Sequence, residues 1–210
     1  MTSTSNFETP QPAAENLLAI INKEIIGIQL LWEALDGLFF KLSGEGLAVL
    51  ESNAPLFFRL MQTAFMESLL IRMSRLMDKK VDRNFENLCL AKLVDKVPAI
   101  ADDVEAVQKI WKDSGLKTAR DKYLSHNDLA RSLKEEHTLN IPLEPADIAV
   151  LGTLVDHLRK LRKCANLKLT NKAYIDQHLD AKVRYELDVM DKLLVGGEQF
   201  FKLLPDHEQA

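Results

Sequence analysis

Apolar residues recur along most of the chain at steps of three and four, the spacing of a helix with one buried face. Between residues 14 and 42 this stripe contains Leu17, Ile21, Ile25, Ile28, Leu31, Leu35 and Leu38. Residues 43–46 (Ser-Gly-Glu-Gly) follow, and two glycines so close together favour chain reversal over helix continuation. The pattern therefore predicts a long first helix that ends near residue 42.

A second long helix is predicted from Pro55, a residue that suits a first helical turn, to about residue 78. One stripe on this helix contains Phe58, Met61, Phe65, Leu69, Met73 and Leu76. Further apolar residues beside the stripe broaden it, namely Leu56, Phe57, Leu60, Leu70 and Met77. We therefore expect the six residues of the stripe to be largely buried and this helix to be central in the fold.

The rest of the chain has the same helical character. Shorter helices are predicted at 85–96, 98–112 and 116–133, and longer ones at 145–165 and 171–194. No segment alternates polar and apolar residues as a strand does. The predicted fold is all-α, a bundle of five to seven helices in one domain over residues 14–204. Residues 1–13 are expected to be a disordered leader and residues 205–210 a short tail.

Composition restricts the environment and the partners. The 27 basic and 31 acidic side chains give a net charge of -4, which argues against a protein that coats nucleic acid as a whole, but not against a local basic patch. Cys89 and Cys164 form no C-x-x-C pair and are expected to be reduced thiols. No secretory signal or uninterrupted apolar span is visible, so we expect a cytoplasmic protein without a membrane partner.

Residues 118–128 (TARDKYLSHND) carry the most informative chemistry. Arg120 is followed by the polar Asp121, and His126 lies six positions after Arg120. This arrangement resembles the signature of the HEPN superfamily, an arginine and a histidine separated by four to six residues, of which the first is polar. Residues 65–78 and 87–94 are similar to the abortive-infection AbiU-type branch of that superfamily, so the resemblance spans roughly residues 55–133.

The resemblance implies a HEPN-like helical domain, and many HEPN proteins are metal-independent ribonucleases. RNA cleavage by its own 2′-hydroxyl requires proton transfer near neutral pH, which histidine performs. The planar guanidinium of Arg120 can stabilise the negative charge that gathers on the phosphoryl oxygens. We expect Arg120 and His126 to be catalytic, with Asp121 holding Arg120 and with Ser125 or Asn127 contacting phosphate or ribose.

The spacing of the motif raises a geometrical difficulty. At about 100° per residue, six positions leave Arg120 and His126 about 120° apart around a regular helix, so they do not share a face. Convergence needs the long reach of arginine, an irregular helix start, or a second copy that presents the same segment. The resemblance implies the last of these, a homodimer with both motifs lining one cleft, in a defence or toxin system that includes an antitoxin protein.

Two other interpretations remain open. The motif residues can be solvated polar groups on a short helix, with Tyr123 and Leu124 packing inward. The chain would then be a catalytically silent helical module that binds a partner protein or a nucleotide, or a structural homodimer whose apolar helix faces are the interface.

A second candidate site is a basic run in the predicted helix at 145–165. Arg159, Lys160, Arg162 and Lys163 are close together without an intervening acid, which is consistent with a surface that tracks RNA phosphates. The alternative is a solvated face whose cations lie near a helix C-terminus, where the helix dipole favours them. The remaining histidines are not paired at a metal-ligand spacing and no glycine-rich phosphate loop is present, so the sequence predicts neither a metal site nor a cofactor.

Overall fold

The computed structural model describes residues 13–41, 44–82, 85–121, 144–171 and 184–192. The α-helices with both ends in these ranges are α1 (Ala14–Leu35), α2 (Gly44–Asn53), α3 (Pro55–Met77), α4 (Leu90–Lys96), α5 (Ala101–Asp113), α6 (Leu116–Arg120) and α7 (Pro145–Thr170). Residues 184–192 are also helical. The predicted all-α fold is confirmed. None of the described helices is long and apolar enough to cross a membrane.

Short irregular elements connect these helices. A π-helical turn (Asp36–Phe40) extends α1, and a 3-10 turn (Pro98–Ile100) leads into α5. Between α3 and α4 the chain forms two antiparallel strands, β1 (Val81–Asp82) and β2 (Phe85–Glu86). The predicted leader, apart from Ala13, and the predicted tail lie outside the described residues, as do residues 122–133, 172–183 and 193–194 of the predicted helices.

Two sequence predictions about element boundaries are corrected. The glycines of residues 43–46 predict a chain reversal, whereas Gly44 begins α2. Glycine is among the residues accepted at a helix N-terminus, and Glu45 in the first turn suits the helix dipole. The described part of the chain thus has eight α-helical segments, one above the predicted range. The helix expected at 85–96 is instead β2 followed by α4.

The core forms around α1, which contacts both α7 and α3 extensively. The apolar face predicted for α1 is confirmed. Six of its seven residues are buried and Leu31 is partly buried; the six are Leu17, Ile21, Ile25, Ile28, Leu35 and Leu38. The apolar face of α7 is likewise buried, at Leu151, Val155, Leu158, Leu161 and Ala165. The steps of three and four therefore identified the faces that pack against each other.

The predicted burial of the α3 stripe is confirmed for its second half only. Leu69, Met73 and Leu76 are buried, whereas Phe58, Met61 and Phe65 are partly buried. Beside the stripe, Leu56 and Phe57 are 62% and 56% exposed. Two polar contacts with other helices also lie in the second half of α3. Glu24 of α1 is paired with Arg72 at 2.9 Å, and Arg120 at the end of α6 donates to Ser74.

Polar pairs fix how α1 and α7 lie against each other. The side-chain amides of Asn22 and Asn166 exchange hydrogen bonds of 3.0 and 3.1 Å. Farther along α1, the buried Glu33 accepts a hydrogen bond of 3.2 Å from Arg159. Because the later residue of α1 pairs with the earlier residue of α7, the two helices are antiparallel. Glu33 also accepts from Arg184 at 3.2 Å, which ties the segment 184–192 to the bundle.

Adjacent isoleucines on α1 provide a matched test of this core. Ile21 is fully buried and Ile20 is 47% exposed. Ile21→Ala should lower the free energy of unfolding by about 2–5 kcal/mol, because it leaves a cavity in the packed core. Ile20→Ala, the same chemical change on the same helix, should cost less than about 1 kcal/mol. Chemical denaturation of both variants measures the difference, and equal losses would contradict this placement of α1.

Candidate functional site

Arg120 is positioned by a tight turn between α5 and α6. Gly115 adopts a left-handed conformation with φ of 74°, which glycine reaches without steric cost. The Ser114 hydroxyl stabilises the turn by donating to the Trp111 carbonyl at 2.8 Å and accepting from the Leu116 amide at 3.3 Å. Leu116 is fully buried and anchors the start of α6. One turn later, the end of this short helix brings Arg120 beside α3.

Two neighbours hold the Arg120 guanidinium. One nitrogen donates a hydrogen bond to the hydroxyl of Ser74, a buried residue of α3. Another is paired with the Asp121 carboxylate at 3.0 Å. The Arg120 side chain nevertheless remains 21% exposed. A guanidinium has five N–H donors in a fixed plane, a geometry that matches the oxygens of a phosphate.

Arg120 lines a cleft of about 720 Å³, which we call the Arg120 cleft. Its walls come from the end of α3, the β1–β2 hairpin and the residue after it, the start of α4, and helices α5 and α6. Its charged lining residues are the cations Lys79, Lys112, Lys117 and Arg120 and the acids Asp78, Asp82 and Asp121. Trp111, Gln108 and Asn87 add an aromatic surface and two amides. The cleft thus combines a positive group for phosphate with groups that can contact a base or a sugar.

The carboxyl group of Asp78, which lines the cleft, has a shifted pKa. Partial burial raises the pKa of Asp78 above its usual value, and the positive charges of Arg120 and Lys117 only partly offset that effect. A carboxyl group in this position binds a proton more readily than one on the surface. Perturbed carboxyl groups beside a cation in a cleft are common at sites of chemistry, and this feature supports the cleft as the functional site.

The structure describes only part of the predicted motif. Arg120 and Asp121 form the ion pair given above, whereas His126, Ser125 and Asn127 lie outside the described residues. The predicted catalytic roles of Arg120 and His126, and the supporting roles of the others, therefore remain predictions.

The basic run on α7 is divided between the core and the surface. Lys160 and Lys163 are exposed, whereas Arg162 is fully buried. Arg159 lies mostly inside and is paired with Glu33 and with Asp156, each at 3.2 Å. Residues three and four apart share a helix face, and the neighbours of Arg162 at those steps, Leu158 and Ala165, are buried. The prediction of one exposed strip is corrected, because Arg162 cannot reach a phosphate at the surface.

Sequence reasoning did not identify Ser74 and Asp78 as site residues. A signal for Ser74 was present, since this small polar residue follows Leu70 by four positions and so lies beside the apolar stripe of α3. A buried hydroxyl requires a hydrogen-bond partner, which here is Arg120. The identity of that partner could not be read from spacing, because 46 positions separate the two residues.

The described ranges contain no group of three or more His, Cys, Asp or Glu side chains that could hold a metal ion.

Comparison with known proteins identifies the family. The family model HEPN_AbiU2, described as AbiU2, matches residues 12–161, which include helices α1 to α6, the motif segment and the first part of α7. No curated protein sequence and no solved structure gives a significant match. The match covers well over half of the chain and confirms the resemblance noted in the sequence. The chain therefore belongs to the HEPN_AbiU2 family of abortive-infection HEPN domains.

Proposed function

We propose that this domain is an endoribonuclease that cleaves RNA without a metal ion. Arg120 binds the scissile phosphate and His126 transfers a proton, at a cleft shared by two copies of the chain. The observation that carries the proposal is the Arg120 guanidinium, which Ser74 and Asp121 hold at a 720 Å³ cleft while part of its side chain remains exposed. A preorganised cation of this kind stabilises a developing oxyanion with little reorganisation.

The proposed reaction needs one cation and two proton transfers. The 2′-hydroxyl oxygen attacks the adjacent phosphorus and loses its proton, a P–O2′ bond forms, and the P–O5′ bond breaks as the leaving oxygen gains a proton. The products are a 2′,3′-cyclic phosphate and a 5′-hydroxyl. Arg120 neutralises the charge that develops on the phosphoryl oxygens, and a histidine works near its own pKa in either proton transfer.

A homodimer supplies the groups that one motif lacks. Each motif contains a single histidine, whereas the reaction needs a proton acceptor and a proton donor. Arg120 and His126 are also about 120° apart if the helix continues regularly past Arg120. Two copies of the motif facing one cleft provide two histidines and allow the arginine of one copy to meet the histidine of the other.

The family assignment suggests a biological setting. An abortive-infection domain that cleaves RNA would act as the toxin of a prokaryotic defence system, with an antitoxin protein that restrains it. Cleavage then has to await an infection signal, and an antitoxin that covers the Arg120 cleft would restrain it directly.

The charges of the cleft favour a second candidate function, a catalytically silent module that binds a nucleotide. Asp78, Asp82 and Asp121 line the cleft together with the cations. Carboxylates repel a long phosphate backbone more than they repel a mononucleotide, which can place its single phosphate group against Arg120. In this case Arg120 would affect nucleotide affinity, and no RNA would be cleaved.

Cleavage of single-stranded RNA in EDTA by the purified full chain distinguishes the two functions. His126→Ala should lower the rate by about 10²–10⁴-fold, the usual contribution of a positioned acid or base. Arg120→Ala should lower it by about 10²–10³-fold through loss of charge stabilisation. The double variant should be little slower than the worse single variant, because groups that act together are not additive.

The half-buried His157 on α7 provides the control for these variants. His157→Ala should retain the activity of the unmodified chain, and thermal unfolding of each variant identifies any loss that comes from misfolding. Equal activity in the His126 and His157 variants would contradict the proposal. A nucleotide affinity that depends on Arg120, without cleavage, would favour the silent module.

Mixing inactive variants tests whether two copies share the cleft. The Arg120→Ala and His126→Ala proteins are unfolded together and refolded, so that mixed dimers form. A mixed dimer keeps one arginine and one histidine, on different copies. It should be more active than either variant alone but slower than the unmodified dimer, because one of the two proton-transfer groups is missing. If each motif works within its own chain, the mixture should stay inactive. A monomer by light scattering at micromolar concentration would contradict the shared cleft.

A further inference from the structure

The β1–β2 hairpin forms one wall of the Arg120 cleft and carries an aromatic side chain exposed to solvent. Phe85 is 75% exposed, more than any other large apolar residue that the structure describes. Asp82 on β1 and Asn87 just after β2 both line the cleft. Phe85 contributes little to core packing at this exposure, so its ring is accessible to a ligand from solvent.

Strand pairing determines the side of the hairpin on which Phe85 lies. Phe85 is directly opposite Asp82 in the antiparallel register, and directly opposed residues project to the same face of a sheet. Because Asp82 lines the cleft, Phe85 lies on the cleft side of the hairpin. The other pair, Val81 and Glu86, projects to the opposite face, where Glu86 is paired with Lys92 at 2.5 Å.

An exposed aromatic ring beside a cation is suited to a single-stranded nucleic acid. Unpaired bases stack on aromatic side chains, while arginine and lysine contact the phosphates. Arg120 and Lys117 provide the cations in this cleft. Phe85 is not itself a lining residue, but it is paired with Asp82, which is one. The acids of the cleft limit how much backbone can be bound there, which favours a site for one or two nucleotides over a long electrostatic track.

We propose that Phe85 is a base-stacking site for single-stranded RNA. Its ring holds an unpaired base close to the nucleotide whose phosphate lies against Arg120. This inference rests on the proposed function, since it takes RNA as the ligand, and it adds a binding residue outside the arginine–histidine motif. It also implies a preference for unpaired substrates, because a base within a duplex cannot present its face to the ring.

Binding of an uncleavable RNA tests the stacking site separately from catalysis. The probe is a short, fluorescein-labelled single-stranded RNA with 2′-O-methyl groups throughout, and the readout is fluorescence anisotropy with the full chain. Phe85→Ala should weaken binding by about 5–100-fold, the range for loss of one stacked base. Phe85→Trp should restore binding to within about threefold of the unmodified chain, because the stacking surface is kept.

Val81 is the matched control, since it is an exposed apolar residue of the same hairpin on the opposite face. Val81→Ala should leave the affinity unchanged within about twofold. Salt dependence separates the two kinds of contact. Phe85→Ala should keep the slope of log affinity against log salt concentration, because the Phe85 ring contacts a base. Arg120→Ala should reduce that slope, because Arg120 contacts a phosphate.

Other results of the binding and cleavage experiments would decide against the stacking site or against the ribonuclease. Unchanged affinity in Phe85→Ala, an equal loss in Val81→Ala, or no binding by the unmodified chain would overturn the stacking site. Conversion of a dimer to a monomer by Phe85→Ala in light scattering would also overturn it and would make Phe85 an interface residue. Binding that depends on Phe85 without cleavage of ordinary RNA would support the stacking site and contradict the ribonuclease. Cleavage of ordinary RNA that depends on Arg120 but not on Phe85 would support the ribonuclease and contradict the stacking site.

Discussion

The antiparallel packing of α1 against α7 is the interaction on which the rest of the fold depends. Apolar side chains provide most of the buried surface, but polar pairs at separate levels determine the register. A slip of one turn would separate Asn22 from Asn166 and Glu33 from Arg159 together. Glu33 is buried, and breaking a buried ion pair costs about 3–5 kcal/mol because a charge is left without its partner. These pairs therefore favour a single alignment of the two helices.

The candidate site follows from this alignment through α3. Helix α1 contacts α3 as well as α7, and the second half of α3 is the part that is covered. That half contains Ser74 and ends beside Asp78, so one packed segment supplies both the hydroxyl that holds Arg120 and the carboxyl group nearest the end of the helix. Arg120 arrives from a different direction, through the Gly115 turn and the buried Leu116. The short helix α6 brings Arg120 to this point, and Ser74 of the packed α3 and the adjacent Asp121 hold its guanidinium.

Periodicity predicted much of the fold because it reports which face of a helix is buried. It identified the buried faces of α1 and α7. Arg162 lies on the same face of α7 as the buried Leu158 and Ala165, but the sequence interpretation grouped it with the exposed basic residues. Periodicity could not show that Leu56 and Phe57 are exposed, because coverage of α3 depends on where other helices end. Gly44 shows a related limit, since glycine favours a turn but is tolerated in a first helical turn.

The site was predictable only where its residues are close together in the sequence. Arg120 and Asp121 were chosen from the motif, which lies within the residues that the family model matches. Ser74 and Asp78 meet Arg120 only through tertiary structure, so local spacing could not show that they belong to the same site. The sequence pattern assigns Phe85 to a helix, and its place beside Asp82 is evident only from the pairing of β1 with β2.

In the proposed reaction, Arg120 stabilises the phosphate while the neighbouring 2′-hydroxyl of the RNA attacks it. The most direct test of this reaction uses two RNA oligonucleotides that differ by one atom, with the 2′-hydroxyl at the preferred cleavage position replaced by hydrogen in one of them. We expect cleavage at that bond to be lost in the deoxy substrate. Cleavage of the ordinary substrate should leave a 2′,3′-cyclic phosphate and should depend on Arg120. Cleavage of the deoxy bond at an unchanged rate would contradict the proposed reaction.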